Sequence, residues 1–281
     1  MIRVLLLLLL APLLIACENT NLSLLTEATS DAVTAVTLDD ADVRRITRLA
    51  IAEVDQKHQI APAGNRYEAR LRRLASPFVQ RDGRTFDFKV YLTKEINAFA
   101  MADGSIRVFS GLMDLMNDQE LLFVIGHEMG HVVHDHTRRK VVMAYATSAV
   151  KKGLASQDNQ MGLIASSMIG AFAEQLVNAQ FSQHEERQAD RYGVAFLKAA
   201  GYDLGPAVSA LEKLADLARQ HTFLSSHPNP DTRAKKLLTG DDNDAEGDES
   251  WIEKAFGLIK HIVVGLLNIV IAIVKWLLSL L

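Results

Sequence analysis

One stretch of the chain limits its possible folds more than any other. Residues 121–133 read LLFVIGHEMGHVV, apolar nearly all round. A helix of this kind has no face to show to water and belongs in an interior. Its start is marked as well: Asn117 is a good N-cap, and Glu120 three residues later completes a capping box. Two histidines and a glutamate inside such a rod need partners, because an unpartnered buried polar group costs roughly 2–7 kcal/mol. The spacing of His127-Glu128-Met129-Gly130-His131 supplies the reason for their presence. Positions four apart share a helix face, with Cβ atoms about 6 Å apart, so both imidazoles reach one tetrahedral zinc at about 2.0–2.1 Å. Glu128 is turned about 100° away from His127. It does not ligate beside the histidines but faces the open coordination position, where it can hold a water as a base.

A zinc site of this type needs a third protein ligand. The metzincin extension requires Gly at 134 and His at 137. His134 and Thr137 stand there, which excludes that class. The alternative is a carboxylate from a second helix, and residues 182–190, SQHEERQAD, supply candidates. Glu186 and Asp190 share a face. One can ligate while the other accepts a hydrogen bond from a ligating histidine and fixes its tautomer. Glu185 is an adjacent and chemically identical rival, and His134 is a rival in a histidine-only site. Spacing leaves these alternatives open.

The remaining pattern is mainly α, in an α+β arrangement with a small β-sheet. A helix is expected from Asp39 to His58, with Val43, Ile46, Leu49, Ala50 and Val54 on one face, and another over Asn65–Leu74. Phe86, Phe88, Val90 and Leu92 alternate as in a strand, and the Asp103-Gly104 turn joins two further strands at Ile96–Met101 and Ser105–Phe109. Met161–Val177 reads as a tightly packed core helix. With 49% apolar and 23% charged residues among 281, disorder throughout is excluded, and a net charge of −4 gives no electrostatic reason to expect nucleic acid. A single cysteine excludes an internal disulfide.

Both ends are greasier than the middle. Residues 1–16 form a short basic-then-apolar leader, too short for an ordinary span. The run closes on Leu14-Ile15-Ala16-Cys17, which resembles the lipobox of bacterial lipoproteins, where the cysteine is lipidated. Glu18 after it, rather than Asp, implies the outer more than the inner membrane. Residues 17–38 then read as a tether, 39–239 as the globular domain, and 240–250, with six acids and no bases, as a linker. Residues 251–281 form a hydrophobic helix with a narrow small and polar stripe. It is long enough to span a membrane, and a helix lying in the interface or packed on protein remains open.

Several motifs together resemble the M48 family of zinc metallopeptidases, in particular its periplasmic lipoprotein branch. They are Asn97-Ala98-Phe99-Ala100, Gly104-Ser105-Ile106-Arg107-Val108, Gly111-Leu112, His127–His131 with His136, Glu186–Asp190, Ser226-His227-Pro228 and Arg233. The likeness covers roughly residues 40–238. It departs at Met101-Ala102-Asp103-Gly104, where a Pro-Gly-Gly type of turn is common, and in the hydrophobic tail. The resemblance implies a zincin-like domain with one Zn2+ held by His127, His131 and Glu186. It assigns the base to Glu128 and support to Asp190. It puts His227 near the metal, where it can take the fourth position and restrain activity, and Arg233 beside the site. The implied activity is endopeptidase cleavage of unfolded or misassembled cell-envelope polypeptides by a periplasm-facing protein. Its membrane contacts would be Cys17 and the C-terminal helix. A homo-oligomer is left open. The rival expectation is a chaperone-like binding protein whose metal site is structural or held shut.

Overall fold

The computed structural model describes residues 38–144, 168–217 and 223–240. The leader, Cys17, the tether, most of the acidic linker and the hydrophobic helix expected at 251–281 lie outside them. Among the described residues, no helix is long and apolar enough to cross a membrane.

Helix α1, Asp40–Lys57, starts where Asp39 accepts from the Asp42 backbone N–H, and α2, Arg66–Ala75, starts on Asn65 in the same way. A two-stranded antiparallel hairpin follows, β1 Gln80–Arg81 with β2 Arg84–Thr85. The main sheet has three strands, β3 Asp87–Tyr91, β4 Ala98–Ala100 and β5 Ser105–Phe109, in the order β3-β5-β4. The β4–β5 pair is the hairpin expected from Asp103-Gly104, whereas β3 pairs with β5 in parallel, with Phe88 opposite Ile106. A short α3, Ser110–Leu115, leads to α4, Asp118–Val133, which carries the histidines. Residues 136–144 form α5 after a two-residue turn. Then come α6 Met168–Asn178, α7 Gln183–Ala199, α8 Gly205–Asp216, α9 Phe223–Ser226 and α10 Pro230–Thr239. The mainly helical α+β expectation agrees with this architecture.

The sheet is buried on both faces, and strand alternation sorts its side chains between two cores. Val90, Ala98, Ile106 and Val108 face α4, α7 and α8. Tyr91, Phe99 and Phe109 face α1, α5 and α6. Arg107 lies on the second face with its side chain 1% exposed. It is tolerated there because Asp55 of α1 accepts from its Nε at 2.8 Å and Nη2 at 3.1 Å. Tyr91 and Lys89 also donate to Asp55, at 2.5 and 2.8 Å.

One helical expectation needs correction. Leu49 is 54% exposed, because Thr47 and Ile51 turn inward in its place and Thr47 satisfies its hydroxyl on the Val43 carbonyl at 2.7 Å. The described part of the Met161–Val177 stretch packs into the second core with one face. It buries Ala173 and Leu176 there and leaves Glu174 exposed.

Candidate metal centre

The site forms where α4 crosses α7. The capping box is present at the start of α4: Asn117 accepts from the Gln119 and Glu120 amides, and Glu120 accepts from that of Asn117. Ser182 and Glu185 make a second box at the start of α7. The helices approach closely because glycines stand at the crossing. A Cβ at Gly130 would lie 3.0 Å from Ala189 Cα and 3.0 Å from Tyr192 Cβ. One at Gly193 would lie 2.9 Å from the Phe123 ring and 3.1 Å from the Phe123 carbonyl oxygen. This contact brings Glu186 and Asp190 against His127 and His131.

His127, His131, Glu186 and His227 each contribute a ligand-type atom to one buried cluster, with all four atoms within 4.8 Å of one another. His127 Nε2 is 3.1 Å from His131 Nε2, 3.7 Å from Glu186 Oε2 and 3.2 Å from His227 Nδ1. Glu186 Oε1 is 3.4 Å from His131 Nε2 and 3.0 Å from His227 Nδ1. Donors around a tetrahedral cation with bonds of about 2.0–2.1 Å stand about 3.3 Å apart, so the spacing suits such an ion.

The protonation states point the same way. Gln188 Oε1 accepts from His136 Nε2 at 2.7 Å. Burial pushes the His136 imidazole down to about 3, so it is neutral and its Nδ1 carries a lone pair. That lone pair accepts from His131 Nδ1 at 2.9 Å. Asp190 Oδ1 accepts from His127 Nδ1, also at 2.9 Å. Each ring therefore donates through Nδ1 and turns an Nε2 lone pair inward. Two lone pairs facing each other at 3.1 Å repel unless a cation stands between them.

The carboxylates are tuned by their surroundings. Burial pushes Glu186 up, but Arg233, then His227 and His131, outweigh it and hold the group well below the usual carboxylate range. Asp190 is also lowered: burial raises it, and the Arg233 guanidinium, donating at 2.6 and 2.8 Å, more than reverses this. Glu128 differs. It is 0% exposed, both its oxygens lack a hydrogen-bond partner among the described residues, and burial pushes it up to about 7. Its Oε1 lies 3.4 Å from His227 Nε2, another buried atom without a hydrogen bond. A buried, unpartnered carboxylate beside a set of inward lone pairs fits a site built to hold a cation and a reacting molecule.

The structure separates the rivals that spacing left open. Glu185 is taken up by the cap of α7 and by Arg139 Nη2 at 3.2 Å. His134 ends α4 and packs against His136 and Tyr192. Neither belongs to the cluster. Sequence reasoning missed Phe181, whose ring stacks on His131 at 3.6 Å between centroids and 18° between planes. It also missed the relay from His131 through His136 to Gln188. No spacing rule flags Phe181, since only the return of the chain from α6 puts it there. His136 was visible as a histidine five residues after His131, but its function as an acceptor depends on Gln188 from another helix.

Comparison with known proteins agrees with this geometry. Residues 63–240 match peptidase family M48. The chain is 39% identical over 230 residues to metalloprotease LoiP of Escherichia coli, spanning 81% of this chain and 91% of that one. It is 34% identical over 233 residues to metalloprotease YcaL of the same organism, spanning 81% and 92%. It is also 29% identical over 162 residues to the Escherichia coli beta-barrel assembly-enhancing protease, covering 53% of this chain and 33% of that longer protein.

Proposed function

The chain belongs to peptidase family M48 and is a metallopeptidase, and from that premise we propose that it is a zinc endopeptidase acting on unfolded or misassembled cell-envelope proteins. The ligands are His127, His131 and Glu186, with His227 as the fourth donor of the resting site. When bound, zinc supplies Lewis acidity that brings a water's pKa toward about 7 and polarises the scissile carbonyl. The observation that carries the reading is the orphaned Glu128 carboxylate beside the converging donors. Glu128 takes the proton of the attacking water and returns it to the leaving amine. Burial sets Glu128 near the pH at which such a group both accepts and gives a proton, while a bound cation pulls it lower. Asp190 holds the His127 ring in its Nε2-ligating tautomer, and Arg233 keeps Asp190 and Glu186 ionised.

Substrate backbone is held by the outer edge of β4. Phe109 N donates to Asn97 O, and Met101 N donates to Ser105 O. By strand alternation, Ala98 and Ala100 turn their N–H and C=O groups away from β5. A peptide added at that edge is read as extended chain, which suits unfolded substrates. Residues 1–16 act as a lipoprotein leader, Cys17 as the lipidated residue, 17–38 as the tether, 39–239 as the catalytic domain and 240–250 as a linker to the hydrophobic helix at 251–281. The protein then faces the periplasm from the membrane surface. A chaperone-like protein with a closed site is a second reading, favoured by one observation: Glu128, His131, Glu186 and His227 are all 0% exposed. Glu128→Gln decides between them, with zinc content and casein cleavage measured together. The endopeptidase reading expects one zinc per chain and no cleavage, against cleavage by the wild type. Undiminished cleavage by the variant would refute the role given to Glu128.

A further inference from the structure

Helix α5 continues from the His131 helix, and one of its faces carries Thr137, Lys140, Val141 and Ala144. Thr137, Val141 and Ala144 are buried, and the last two share a core with Phe99 and Met101 of the β4 segment. Lys140 is half-buried on that same face. The Lys140 ammonium lies 3.2 Å from the centroid of the Phe181 ring. The His131 ring stacks on Phe181 at 3.6 Å. An ammonium and a stacked imidazole at those distances cannot share one face of a ring. Phe181 is therefore a wall with the metal-site histidine on one side and a cation on the other.

Among the described residues Lys140 makes no hydrogen bond and no ion pair. Glu185 is engaged by Arg139, and Glu186 and Asp190 by Arg233. Lys140 feels the charge of Glu128 and Glu186 through space but touches neither, and burial pulls it down to about 7. An ammonium partly removed from water, with an aromatic ring as its contact, gains from an incoming carboxylate, which restores the counter-charge it lacks. Building on the endopeptidase reading, we propose that Lys140 is a specificity-determining residue that receives an acidic side chain of the peptide laid along β4. Preferred cleavage sites then carry Asp or Glu at one fixed distance from the scissile bond.

The test uses the zinc-loaded full-length Glu128→Gln protein and fluorescently labelled extended decapeptides. These differ only by Glu, Gln or Lys at each position flanking a central Leu-Leu pair, and binding is read by anisotropy. At one position Glu is expected to bind about fivefold tighter than Gln, as a partly exposed ion pair allows. Adding Lys140→Met brings that ratio to about one, Lys140→Arg keeps it, and Lys140→Glu reverses it in favour of a Lys-bearing peptide. Lys140→Gln carries the same expectation as Lys140→Met and decides the matter if the latter does not fold. Equal zinc content among the variants reports that the metal site is intact. An unchanged Glu/Gln ratio in the Met and Gln variants, or no position with a preference in the parent, overturns the proposal. Cleavage of the peptides by the Glu128→Gln parent would instead overturn the endopeptidase mechanism, whatever the binding ratio.

Discussion

Replacing Gly130 by Ala tests how the two site helices set the metal geometry. The added Cβ would meet Ala189 Cα and Tyr192 Cβ at 3.0 Å and the Ala189 carbonyl oxygen at 3.3 Å. Relaxed carbon contacts need about 3.5–4.0 Å. Two of the three obstacles are backbone atoms of α7, so the helix must retreat by about half an ångström rather than turn a side chain aside. That displacement falls between His127 and His131 on α4 and within the Glu186–Asp190 turn of α7. Overpacking costs about 1–3 kcal/mol, and the better helix propensity of Ala returns about 1 kcal/mol. The metal-free protein should therefore lose about 0–2 kcal/mol. Metal sites hold their donors to within about 0.2 Å, so zinc affinity should fall at least tenfold while the fold persists. Urea unfolding of chelator-stripped protein measures the first quantity, and competition with a chromophoric chelator measures the second. Wild-type zinc affinity in the Gly130→Ala protein would show that the close approach of α4 and α7 does not control the site.

Asp190→Asn leaves His127 without its carboxylate acceptor and Arg233 with one buried counter-charge fewer. Zinc affinity should fall about 10–100-fold and metal-free stability by about 3–5 kcal/mol, read by the same two assays, and an unaffected affinity would exclude the tautomer argument. His227→Ala empties the position between Glu128 and the metal-site donors, and casein cleavage should rise about tenfold if the site spends most of its time closed; an equal or slower rate would mean that His227 does not restrain the site. Asp55 gives a pH dependence remote from the metal centre. Burial raises its pKa, but hydrogen bonds from Arg107, Lys89 and Tyr91 outweigh this and hold it at about 2 in the folded protein, against 3.8 for an ordinary Asp. A depressed folded-state pKa stabilises above the unfolded value, so about 2 kcal/mol is fully present above pH 4 to 5 and is lost as pH falls toward 2. In metal-free protein, the stability gap between wild type and Asp55→Asn should narrow by that amount over this window, and a gap constant from pH 7 to 2 would contradict it.

The chain by itself determined whatever lies within one helix turn or one strand pair. Asn117 with Glu120 fixed the start of α4, and the four-residue spacing put His127 and His131 on one face. Asp103-Gly104 fixed the β4–β5 hairpin, since these features rest on contacts a few residues apart. The same locality made Glu186 and Asp190 visible as a pair on one face of α7. It could not choose Glu186 over Glu185, because that choice depends on how α7 rotates against α4, set by Gly130 and Gly193 at the crossing. Tertiary structure alone brought His227 into the donor set from 100 residues beyond His127, stacked Phe181 on His131 and paired β3 with β5 in parallel. It also left Lys140 across the ring from the metal-site histidine. Contacts of that kind come from the packing of separate elements, whose order in space follows from the whole core and not from any periodicity along the chain.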